Sequence, residues 1–147
     1  MIRHLELPIM PVESRPNWYN LLINGKVPKE RVFSAQEILD MPEIIIKGDF
    51  FCNDGWMVKD LAWSGIPISQ LLKLAEVNRK EVDSIKVCSD DYFKTFDMVE
   101  VLQGNIIIAT KLNGDFLSFG HGGPCRLIGG SRSGDNHVKW VKSIEVS

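Results

Sequence analysis

Residues 112–140 read LNGDFLSFGHGGPCRLIGGSRSGDNHVKW, and this stretch holds seven of the twelve glycines of the chain. It opens on Asn113-Gly114, a tight hairpin turn, so the apolar run from Asn105 to Thr110 before it is expected to be a strand. The later glycines leave room for one short strand, Arg126 to Ile128, between two loops, and Val138 to Val146 is expected to form the last strand. Upstream the pattern alternates. Trp18 to Ile23 is strand-like with Asn24-Gly25 as its turn, and Ser34 with Glu37 forms a capping box that opens a short helix ending before Pro42. Glu43 to Lys47 is expected to be a buried strand feeding a loop from Gly48 to Trp56. Ser69 opens a second helix with Leu71, Leu72 and Ala75 on one face, and Ser84 to Cys88 is a strand. Asp97 with Glu100 caps a third helix, which Gly104 closes. Short helices between strands, tight hairpins and long loops specify an α+β fold with mixed sheets, not a doubly wound one.

The same stretch carries the clearest chemical signal. Glycines allow successive backbone N–H groups to face one concavity, and such nests bind anions. Arg126 and Arg132 add fork donors, Lys139 adds a point charge, and His121 and His137 complete the cluster. The competing reading is a glycine loop with solvated charges. No Gly-Lys-Ser/Thr follows, so the loop is not a Walker A motif. It also lacks the strand, glycines and helix of a dinucleotide fingerprint.

The chain has 147 residues, 44% apolar and 24% charged, with a formal net charge of -2. That suits a single domain, taken as 1–147 with residues 1–17 as an extended arm. The near-neutral balance argues against a nucleic-acid or membrane surface, because both partners need a basic excess. No apolar run reaches the ~20 residues of a membrane span. Residues 1–18 lack both a signal-peptide segment and a twin-arginine pair, so the expected location is cytoplasmic.

Cys52, Cys88 and Cys125 lie more than thirty residues apart, which suggests neither a disulfide framework nor a structural zinc site. Cys52 follows the Glu43–Lys47 strand in a loop with Gly55. A thiolate there suits a nucleophile or a soft metal ligand. Its neighbours Asp49, Asn53 and Asp54 do not favour a thiolate by charge, whereas a metal would supply that charge itself. Asp90-Asp91 is adjacent rather than paired across a site, and a turn is its expected setting.

Several of these segments, taken in order, resemble the molybdopterin-binding domain of the sulfite oxidase family. Cys52 precedes Trp63-Ser-Gly65-Ile-Pro67-Ile-Ser-Gln-Leu71-Leu72, similar to the family's cysteine segment. Leu112-Asn113-Gly114, then His121-Gly-Gly-Pro124-Cys-Arg126-Leu, then Val138-Lys139-Trp140-Val-Lys-Ser-Ile144 resemble its later motifs. The resemblance runs from about Trp18 to the C-terminus. It implies the molybdenum–molybdopterin cofactor, with Cys52 as the catalytic metal ligand. It places His121 and Arg126 on the pterin and its phosphate, Lys139 and the backbone around Val138 at the phosphate end, and His137 where many relatives have serine. Ser89 falls where relatives place a polar contact at a strand end. Sulfite oxidases proper carry basic residues just after the cysteine, and Asn53-Asp54-Gly55 stands there instead.

The implied function is a molybdenum oxidoreductase moving an oxygen atom or two electrons to or from a small substrate. Electrons would pass to a separate carrier, since the chain has no haem motif or iron–sulfur cysteine run. Two other readings stay open: a non-catalytic module binding molybdopterin or another phosphate-bearing ligand, and a cysteine enzyme pairing Cys52 with His121 or His137.

Overall fold

The computed structural model describes residues 17–51, 57–90, 92–129 and 137–147. The candidate ligand Cys52, together with Arg132, Asp91 and the 1–16 part of the expected arm, lies outside the described residues. Among the described residues, two sheets, three short α-helices and a 3₁₀ turn make up the fold. The strands are β1 (Leu21–Gly25), β2 (Arg31–Phe33), β3 (Ile44–Phe51), β4 (Met57–Pro67), β5 (Ser84–Cys88), β6 (Phe93–Asp97), β7 (Ile107–Leu112), β8 (Asp115–Phe116), β9 (Arg126–Ile128), β10 (His137–Val138) and β11 (Ser143–Val146). The helices are α1 (Ala35–Leu39), α2 (Ile68–Leu74) and α3 (Met98–Leu102). One sheet runs β2-β1-β11-β5-β6, with β1 parallel to β11 and the other pairs antiparallel. The other sheet runs β10-β9-β7-β4-β3, with β8 on β7, and is antiparallel throughout. The α+β class with mixed sheets is therefore observed. Among the described residues no helix is long and apolar enough to cross a membrane.

Local chemistry sets the element ends. Ser34 Oγ accepts from Glu37 N–H while Glu37 Oε1 accepts from Ser34 N–H, the reciprocal capping box. Asp97 accepts from Glu100 N–H at 2.8 Å to start α3. Asn113 and Gly114 both have positive φ, as a tight hairpin between β7 and β8 requires.

Four expectations need correction. Glu43–Lys47 is not a buried strand. It enters β3, which continues through Gly48 to Phe51 where a loop was expected, and among the described residues it lies at the edge of its sheet with Ile44 and Ile45 exposed. The last strand is broken in two, because Trp140 takes φ 52° and moves the chain from the β9 sheet to the β1 sheet. The second helix starts at Ile68 after Pro67, and Ser69 does not cap it. The first strand begins at Leu21 and includes Asn24 and Gly25 rather than turning at them. Strands β2, β4, β6 and β8 have no counterpart among the expected elements.

The main core lies between the sheets and under the helices, and includes Leu21, Ile23, Ile66, Leu71, Ile85, Ile108, Leu127 and Ile144. A second apolar cluster, Leu61, Trp63, Ile107, Ala109 and Ile128, covers the opposite face of the β4–β7–β9 sheet. Period-two alternation explains the division: Ile108 and Leu127 point into the main core, while Ile107, Ala109 and Ile128 point away. The candidate site is built on that second face.

Candidate functional site

Arg126 and Ile128 are two residues apart on β9 and so share a face, and Ile128 pairs directly with His137 of β10. Register therefore sets Arg126 and His137 side by side on the second face of the sheet. Arg126 itself pairs with Ala109, which in turn pairs with Gly65. Those two small residues keep the sheet surface low between Arg126 and β4. The guanidinium carbon lies 4.8 Å from the centroid of the Trp63 ring. Gly65 has no alternative at this point, since a Cβ there would meet Ile108 O at 2.1 Å.

Arg126 and His137 are both buried, at 2% and 8% exposure. Arg126 Nε donates to His137 Nδ1 at 3.2 Å, and Nη2 lies 2.9 Å from the same nitrogen. Arg126 Nη1 donates to the carbonyl of His121 at 3.1 Å. The His137 ring also packs edge-on against Trp63, centroids 5.5 Å apart at 76°. Burial pushes the His137 pKa down to about 3, and the charges of Arg126 and Lys139 add to the effect. The imidazole is therefore neutral at physiological pH and presents Nδ1 as an acceptor. Burial also lowers Arg126, to about 10, and leaves it protonated at neutral pH.

His121 sits at the end of a 3₁₀ turn, Phe119–His121, whose cap Ser118 accepts from His121 N–H. Ser118 Oγ is also 3.1 Å from His121 Nδ1. Gly122 then takes φ 94°, a conformation open to glycine, and a Cβ there would meet the Lys139 side chain at 2.7 Å. Lys139 Nζ donates to Gly120 O at 3.3 Å. Trp140 locks the two segments together: its backbone N–H donates to Gly122 O at 3.0 Å and its indole N–H to Phe119 O at 2.8 Å.

The structure thus brings together four residues singled out in the sequence: His121, Arg126, His137 and Lys139. Val138 points the other way, into the main core. Ser89 follows β5 in the other sheet and donates its N–H to Tyr92 O, one residue beyond Cys88, whose carbonyl accepts from Lys142 N–H. Asp90 pairs with Lys142 at 2.6 Å. Cys125 is fully buried, and burial pushes its thiol up to about 12, so it is a core thiol. Cys88 is half-buried. Trp63 and Trp140 were missed as site residues. The only sequence signal for either was its place in a motif of the family resemblance, Trp63-Ser-Gly65 and Val138-Lys139-Trp140.

The profile of the oxidoreductase molybdopterin-binding domain matches residues 5–147. A relative from Azospira oryzae named "Putative protein-methionine-sulfoxide reductase subunit YedZ1" is 24% identical over 131 residues, covering 88% of this chain and 49% of its own. The NADH nitrate reductase of Solanum lycopersicum is 31% identical over 110 residues, covering 61% of this chain and 11% of its own. The crystal structure of the sulfane dehydrogenase SoxCD from Paracoccus pantotrophus shares the fold, with a TM-score of 0.79 at 24% identity over 97% of this chain and 44% of that one. The chain spans about half the length of the first relative and about a tenth of the second. By its sequence profile and its fold, the chain belongs to the oxidoreductase molybdopterin-binding domain family, of sulfite oxidase type, whose cofactor is molybdenum–molybdopterin.

Proposed function

We propose that the chain is the cofactor-holding domain of a molybdenum oxidoreductase that transfers an oxygen atom or two electrons to or from a small substrate. The observation that carries this is the buried Arg126 guanidinium, gathered with Lys139, His121 and His137 on one face of a sheet in a chain of net charge -2. A buried cation aligned by neutral acceptors suits an anionic group. The donor set fits the cofactor: its terminal phosphate carries ~1.5–2 negative charges at neutral pH. The cations of Arg126 and Lys139 match that charge, and the His121 carbonyl and Gly120 carbonyl orient them.

When bound, the cofactor supplies two-electron redox chemistry at the metal. The protein's own contributions are binding and orientation. Arg126, Lys139 and the backbone near Val138 would hold the phosphate end, His121 the pterin side, and Ser89 a polar contact at the end of β5. Cys52 would be the protein's thiolate ligand to molybdenum, a soft anionic donor suited to a soft site. The relatives are named for nitrate and for protein methionine sulfoxide. A small oxygen-bearing group is accordingly the substrate class we assign, with electrons exchanged through a separate carrier.

Metal analysis of the chain purified from a molybdenum-supplied host tests this. Near-stoichiometric molybdenum with molybdopterin is the expected result. Pterin without metal would replace the proposal with a binding module, and neither would overturn it.

A further inference from the structure

We propose that His137 is a positioning residue that acts through Arg126: its unprotonated Nδ1 holds one edge of the guanidinium, while Trp63 supports the flat face, so that the fork is fixed in one orientation. This rests on the reading of Arg126 as the cofactor's phosphate contact, and it changes the part expected of His137, which would stand behind the contact rather than in it.

Two donors of the same guanidinium, Nε and Nη2, converge on the single ring nitrogen Nδ1, at 3.2 and 2.9 Å. A nitrogen receiving two N–H groups cannot itself carry a proton, so the ring proton resides on Nε2. The Nε–Nη2 edge is the one a carboxylate or phosphate usually takes in a bidentate pair. Here an imidazole occupies it. The third nitrogen, Nη1, is held by the His121 carbonyl at 3.1 Å. Trp63 completes the arrangement, with the guanidinium carbon 4.8 Å from its ring and the His137 ring edge-on to it. All three side chains are buried, with Trp63 at 4% exposure, so the arrangement costs little further ordering when an anion arrives.

Uniformly 15N-labelled chain at neutral pH tests the geometry directly, with or without cofactor. His137 should show an unprotonated Nδ1 and a protonated Nε2. The Arg126 side chain should show separate, slowly exchanging Nη signals. His137→Asn puts an amide oxygen where Nδ1 stands, so it should keep those signals and retain molybdopterin on dialysis within about threefold of the parent. His137→Leu removes the acceptor, and should shift and broaden the Arg126 Nε and Nη2 signals and lower retention about tenfold or more. A proton on Nδ1 in the parent chain, or an unchanged Arg126 spectrum in a folded His137→Leu variant, would overturn the proposal. If His137→Leu fails to fold, the parent spectrum and the asparagine variant still decide it. A parent chain that carries no molybdopterin would remove the functional reading, while the tautomer and the guanidinium signals would still decide the geometry.

Discussion

Acid should unfold this domain through His137 before it titrates most carboxylates. The imidazole is held well below its ordinary value of 6.5, at about 3, by burial and by the charges of Arg126 and Lys139. Above pH 6.5 it is neutral in both folded and unfolded chains and contributes no pH dependence. Below that value the unfolded chain takes up a proton that the folded chain refuses, so stability is lost from about pH 6.5 down to about pH 3. One such proton costs about 1.4 kcal/mol per pH unit, which amounts to about 2 kcal/mol at pH 5. For a domain of this size that is a fall in Tm of about 6–8 °C. The comparison is His137→Asn, which retains an acceptor for Arg126 and cannot titrate. Thermal unfolding of the cofactor-free chain, followed by circular dichroism at pH 8 and pH 5, measures the difference. The parent should lose about 6–8 °C more than the variant between the two pH values. Equal losses would mean that His137 is protonated in the folded state, and the neutral-acceptor geometry would be refuted.

Arg126→Lys should lower molybdopterin retention ten- to a hundredfold, about 1.5–3 kcal/mol, because a point charge cannot fill both the His137 and His121 contacts; cofactor content after dialysis reads it. Cys52→Ser should abolish redox activity and alter the optical and paramagnetic signals of molybdenum. Cys125→Ser should leave those signals intact and cost about 1–3 kcal/mol in urea unfolding, since it buries a hydroxyl among apolar neighbours. Gly104→Ala and Gly122→Ala both force a side chain into positive φ, at about 1 kcal/mol each. Only the second also meets the Lys139 stem, so it should be the more destabilising by chemical denaturation and should alone reduce cofactor retention.

Hairpins, caps and short helices were legible because their causes are local. Asn113-Gly114, the Ser34–Glu37 box and the Asp97 cap each satisfy backbone groups within four residues, and all three appear as expected. The long strand β4 was not legible. Lys59 and Asp60 interrupt its apolar pattern, and a positive φ at Asp60 and a register shift at Ser64/Gly65 break its regular period. Ile44 and Ile45 misled for the opposite reason: an apolar run cannot show whether its strand has a neighbour on both sides, and among the described residues β3 has one on one side only.

The chemistry of the site divides in the same way. The sequence by itself determined which residues were candidates for binding an anion, a run of glycines with Arg126, Lys139 and two histidines within twenty residues, and the order of motifs identified the family. Which of those side chains would be charged, and toward what each would point, was decided only by the tertiary structure. His121 and His137 are the same residue type in the same stretch of chain. One sits half-buried at the end of a turn beside a serine hydroxyl. The other is carried by β10 to lie against a buried guanidinium and an indole from β4, more than seventy residues away. Protonation depends on burial and on nearby charge, and both are set by sheet register between distant strands, which local sequence does not encode.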